Sequence, residues 1–130
     1  QWVRPALLYT YLAVAEVGLI LSMPSEHLVA VGPGTGRKLF TYMSAGVPVV
    51  APVAPAVWEF VSTEGIGLQV DTTDSHAIAD GILGILRDDR LRSEMGEAGR
   101  RRFTEKYNWE TQEEEFGQFV EACLGGTARG

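Results

Sequence analysis

Gly32, Pro33, Gly34, Thr35 and Gly36 run directly into Arg37 and Lys38, a glycine-rich turn followed by two adjacent cations. Glycine at this density lets backbone approach an anion closely. If a helix opens at Arg37, its first-turn N–H groups point at that anion with the positive end of the helix dipole, and Arg37 and Lys38 add full charges beside it. The pattern is not a P-loop, because the spacing to the lysine is wrong and no strand ends immediately before it. The residues alone leave two readings open: a phosphate site, or a glycine-rich turn carrying a surface Arg–Lys pair.

Three apolar runs, residues 17–21, 48–51 and 66–70, stand where the elements around this turn must lie. Their apolarity is continuous rather than alternating, as expected for strands covered on both faces in a parallel sheet. Segments of helical spacing separate them, so the order implies right-handed βαβ units and an α/β fold. The first crossover helix is expected over residues 37–45, ended by Gly46 with Val47 and Pro48 extended behind it. The second is expected over residues 56–63, ended near Gly65. Asp74 or Ser75 can cap a helix presenting Ile78, Ile82, Ile85 and Leu86 on one face. A helix over residues 89–106 follows, with Leu91, Met95, Ala98 and Phe103 as its buried stripe. Asn108 can cap a last helix with Phe116, Phe119, Val120 and Cys123 on one side. The residues 22–36 form a connection longer than the ~2–6 residues usual between strand and helix. It leaves the carboxyl end of a parallel strand, where open α/β sheets bind ligands.

With 11 Lys plus Arg against 17 Asp plus Glu in 130 residues, the net charge is −6. Nucleic acid is not an expected partner, since phosphates are neutralised by a basic face. The one basic run, Arg100–Arg102, reads as a solvated helix end. Cys123 is the single cysteine, which excludes an intrachain disulfide and a thiolate cluster, and no metal is expected. His27 and His76 read as surface or capping residues. Residues 6–23 carry one charge, Glu16, and could be taken for a membrane span, but Glu16 and Gly18 favour a helix followed by a strand. The chain opens on Gln1 rather than Met, which suggests a start inside a longer protein.

The run from Arg37 through Leu39, Tyr42, Ala45, Gly46, Pro48 and Ala51 resembles the KLFEYMAAGxPVVA signature of GT-B glycosyltransferases of the group 1 type. The resemblance continues through Glu59-Phe60-Val61, residues 65–71, MGEAGRRRF at Met95 to Phe103, and YNWE at Tyr107 to Glu110. It covers nearly the whole chain and implies the C-terminal part of a Rossmann-like, nucleotide-sugar-binding domain. Residues 1–124 would make up that part and residues 125–130 a flexible tail.

The resemblance implies transfer of a sugar from a nucleotide-diphosphate donor to an acceptor held mainly by a missing N-terminal domain, most often with retention. The donor is a substrate, and no cofactor is expected. In that family two glutamates separated by seven residues flank the loop and the first turn of the helix, one near the transferred sugar and one on the ribose. Those positions fall on Pro33 and Thr41, so both carboxylates are absent. Amides between them meet the diphosphate, which makes Gly34, Thr35, Gly36, Arg37, Lys38, Leu39 and Thr41 the donor-binding candidates. Glu26 reads either as an exposed loop carboxylate or as a sugar contact, and Glu59 either as a helix-dipole partner or as a donor contact. Trp58 and Trp109 read as packing anchors or sugar platforms. No catalytic residue is assigned. A cytoplasmic setting is expected, free or peripheral to the inner membrane face. The 130 residues alone are expected to be inactive and to self-associate. Rival readings are a degenerate, non-catalytic nucleotide-binding or assembly module, and a sugar-nucleotide epimerase.

Overall fold

The computed structural model describes residues 4–21, 37–53 and 58–125. The glycine-rich turn with Glu26, Pro33, Gly34, Thr35 and Gly36, the residue His27, and the tail 126–130 lie outside the described residues. In chain order the elements are α1 (Pro5–Leu12), β1 (Gly18–Leu19), α2 (Arg37–Ala45), β2 (Val49–Pro52), α3 (Glu59–Thr63), β3 (Gly67–Val70), α4 (Ser75–Leu86), α5 (Asp89–Lys106) and α6 (Trp109–Gly125).

The sheet runs β1-β2-β3 with every pairing parallel. Gly18 stands opposite Val49, and Val49 opposite Gly67. All four residues of β2 are buried, the signature of a strand covered on both faces. Side chains alternate across it: Val49 and Ala51 join Ile20, Leu39, Met43, Trp58 and Val61 in one apolar cluster, while Val50 joins Val70, Ile85 and Met95 in another. Helices α2 and α3 therefore cover one face and α4 the other. Helix α5 packs against both α2 and α4 and contributes Ala98 to the first cluster and Met95 to the second. The expected α/β architecture is present, with helices on both faces of a parallel sheet.

Helices α2 and α3 end in the same way. Gly46 (φ 71°) donates to Met43 while Val47 N–H donates to Tyr42, and Gly65 (φ 67°) donates to Ser62 while Ile66 N–H donates to Val61. This Schellman geometry needs a left-handed residue that glycine supplies without Cβ strain. It turns the chain directly into the buried residues that precede β2 and β3. Asp74 caps α4 by accepting from His76 N–H at 2.8 Å, and Asp88 caps α5 by accepting from Leu91 N–H at 2.9 Å.

Several details differ from expectation. The first strand pairs over Gly18–Leu19 rather than residues 17–21, although Ile20 N–H still reaches Val50 O at 3.0 Å. The second crossover helix is described over Glu59–Thr63, and residues 56 and 57, where the sequence puts its start, lie outside the described residues. The basic run is not simply a solvated end: Arg100 Nη2 donates to Ala45 O at 3.0 Å, and Arg102 Nε pairs with the Glu64 carboxylate. On α6, Phe116 and Phe119 are exposed, as is Trp109, which packs into no core. Among the described residues no helix is long and apolar enough to cross a membrane.

Candidate functional site

A crossover helix runs antiparallel to the strand before it, so the amino ends of α2, α3 and α4 stand at the carboxyl edge of the sheet. Arg37 and Lys38 open α2 at that edge. Both are exposed, and among the described residues neither forms an ion pair. The first turn of α2 contains no acidic residue. Its N–H groups have no acceptor within the helix, so backbone dipole and two side-chain cations add with the same sign.

What holds this turn in place is apolar. Leu39 is fully buried beneath it, with Met43 one helical turn further along. Truncating such a side chain to alanine costs about 2–5 kcal/mol, so Leu39 anchors the first turn to the core. Phe40 packs against Tyr107 at 5.3 Å between ring centroids, and Phe60 of α3 packs against the same ring at 6.3 Å. Tyr107 thus ties α2 to α3. Next to it, Asn108 Oδ1 accepts from Thr111 N–H at 2.8 Å, and Asn108 Nδ2 donates to Phe103 O at 3.3 Å. The YNWE segment is therefore the joint between α5 and α6, with Asn108 capping α6 as expected.

Of the donor-binding candidates, Arg37, Lys38, Leu39 and Thr41 share the first turns of α2. Gly34, Thr35, Gly36 and Glu26 lie outside the described residues. The Thr41 hydroxyl donates to Arg37 O, one turn back, at 2.8 Å. Its hydrogen is thereby engaged, and only its lone pairs remain to accept from a ligand hydroxyl. Glu59 lies exposed in the first turn of α3, where negative charge suits the dipole. Trp58 is 4% exposed and sits in the core cluster, so its ring offers no platform to a sugar.

The sequence gives little notice of three further features. At the carboxyl end of β3, the Asp71 carboxylate accepts from the Thr73 hydroxyl at 2.6 Å and from Thr73 N–H at 2.8 Å. The hydroxyl bond first, and the backbone bond after it, hold Asp71 below the ordinary aspartate pKa. Gln69 spans from β3 to both neighbours, with Oε1 accepting from Ser62 at 2.6 Å and Nε2 donating to Pro52 O at 3.2 Å. Gly96 and Gly99 are buried where α5 crosses the end of α2. Two helical glycines three residues apart were the available signal, since each costs helix stability unless a close approach requires it.

The family model for glycosyl transferases group 1 matches residues 16–102. Among solved structures, the chain is similar to sucrose-phosphate synthase from Thermosynechococcus elongatus, with 27% identity and a TM-score of 0.74. The similarity covers 89% of this chain and 27% of that one, so the chain spans about a quarter of that protein's length. No curated protein sequence matches the chain. The parallel sheet and its flanking helices follow the GT-B glycosyltransferase fold of that structural relative. Because the matched span takes in all three strands and the whole of the helix that Arg37 opens, the chain belongs to the glycosyl transferases group 1 family.

Proposed function

We propose that the chain supplies the donor-diphosphate part of a glycosyltransferase that moves a sugar from a nucleotide-diphosphate sugar to an acceptor. The observation that carries this reading is the amino end of α2: two exposed cations without ion-pair partners among the described residues, no acid in the turn, and Leu39 anchoring the turn to the core. Transfer leaves negative charge on the departing diphosphate, and preorganised N–H groups and cations stabilise such charge without rearranging during the reaction. The amides of residues 36–39 supply the fixed dipoles in this reading, and Arg37 and Lys38 the full charges. No metal is assigned to the site, the acceptor belongs to another domain, and the reaction proceeds with retention of configuration.

Titration of uridine and guanosine diphosphate into the protein by calorimetry tests the site. Gly36→Val adds bulk where backbone must approach phosphate and is expected to weaken binding more than Arg37→Ala. Equal effects, or none, would remove the helix-terminus site.

The absence of both family carboxylates, with Pro33 and Thr41 in their places, favours a second reading: a nucleotide-binding or assembly module without transferase activity. Product analysis of the full-length protein with a nucleotide sugar and an acceptor separates the two, because a module binds the diphosphate and transfers nothing.

A further inference from the structure

We infer that Tyr107 is a positioning residue for the diphosphate site: its ring sets the roll of α2 and the gap between α2 and α3, and so the direction in which the first-turn amides of α2 point. The inference rests on the reading that the amino end of α2 meets the donor diphosphate. Helix α5 runs antiparallel to α2. A Cβ on Gly96 would meet Gly46 O, and one on Gly99 would lie 3.5 Å from Met43 Cα, while Tyr107, at the other end of α5, reaches Phe40. The carboxyl end of α5 therefore arrives beside the amino end of α2, at the carboxyl edge of the sheet.

Two adjacent residues of α2 hold its first turn from different sides. Leu39 and Met43, four residues apart, form one line of buried contacts along the helix. A single line fixes the height of a helix over a sheet but resists roll weakly. Phe40 lies about 100° further round, and its ring packs against Tyr107 at 5.3 Å between centroids, with 38° between the planes. That second contact opposes the roll. Phe60, in the first turn of α3, packs against the same ring at 6.3 Å, so one side chain gauges the gap between two helix starts. The ring is itself held: Tyr107 N–H donates to Phe103 O at 3.0 Å, and Asn108 beside it caps α6. Aromatic packing of this kind biases the turn toward one arrangement, and affinity falls by the fraction of molecules that leave it.

The test titrates uridine and guanosine diphosphate into the full-length protein by calorimetry, with urea denaturation run on each variant. Tyr107→Leu keeps apolar bulk and removes both ring contacts. It is expected to weaken binding about two- to tenfold, the range that an aromatic pair is worth. Tyr107→Phe keeps the ring and should bind as the parent does. Phe60→Leu removes one of the two contacts and should give a smaller loss, which decides the matter if Tyr107→Leu does not fold. Ile85→Val, buried on the other face of the sheet, lowers stability without touching the joint and should leave affinity unchanged. A parent protein that binds neither diphosphate would sink the donor-site reading and this inference with it. Undiminished binding in Tyr107→Leu or Phe60→Leu would overturn the inference alone. So would a loss in Tyr107→Phe or in Ile85→Val equal to that in Tyr107→Leu.

Discussion

Arg100 Nη2 donates to the carbonyl of Ala45 at 3.0 Å, joining residues 55 positions apart at the carboxyl end of α2. The same helix opens with the exposed Arg37 at its other end. Nearby, a Cβ on Gly96 would sit 2.3 Å from Gly46 O, so α5 and the end of α2 meet backbone to backbone.

This contact predicts an order of stabilities. Gly96→Ala forces the two backbones apart and is expected to cost about 1–3 kcal/mol or more. Arg100→Met removes one exposed hydrogen bond, worth about 0.5–1.5 kcal/mol. Gly117→Ala, on α6 with nothing within 4 Å of the added carbon, should stabilise by roughly 0.5–1 kcal/mol. Urea denaturation of the three variants ranks them, and a neutral Gly96→Ala would show that α5 does not clamp α2.

Thr41 offers a gain-of-function test of the donor site. Its hydroxyl is turned back to Arg37 O, so it can only accept from a ribose hydroxyl. Thr41→Glu places a carboxylate there, close to the favourable end of the dipole. Nucleoside diphosphate binding is expected to tighten by roughly 1–3 kcal/mol, measured by calorimetry. Unchanged or weaker affinity means that the ribose does not lie over α2.

Asp71 gives a pH prediction. Because hydrogen bonds from Thr73 lower its pKa in the folded chain, its contribution to stability is present above the unfolded-state pKa and is lost as pH falls through the lowered folded value. Thr73→Val removes the hydroxyl bond and should move the Asp71 carboxyl back toward the ordinary aspartate value. Carbon-detected NMR titration of the side-chain carboxyl reads this directly. An Asp71 titration that stays put in the variant would assign the shift to something other than Thr73.

Among the described residues β1 pairs on one side only, with β2. Helix α1 and the turn after it lead into that strand, with Leu7 46% and Tyr11 59% exposed on the helix and Val14 80% exposed in the turn. An apolar edge without charged or proline residues to guard it is a template for pairing. The chain on its own is therefore expected to self-associate, seen as a mass above the monomer by size-exclusion chromatography with light scattering. A soluble monomer with a cooperative melt would show that the edge is harmless.

Local chemistry is what the sequence determined by itself. Continuous apolar runs identified the three strands, because a strand buried on both faces has no polar side to show. Gly46 and Gly65 marked helix ends, because only a left-handed residue closes those turns without strain. Asp74 and Asn108 were legible as caps, because a short polar side chain satisfies first-turn N–H groups within three residues of itself. The run from Arg37 to Ala51 carried the family and the place of the candidate site. Tertiary structure decided whatever depends on residues far apart in the chain. Arg100 looked like a solvated cation until α5 crossed α2 and brought Ala45 within reach. Tyr107 became the tie between Phe40 and Phe60 only once the sheet had set α2 beside α3. Trp58 and Trp109 are the same residue type at helix starts, yet one is buried and the other exposed. Periodicity reports which face of a helix is apolar, and only the packing of other elements determines whether anything covers it.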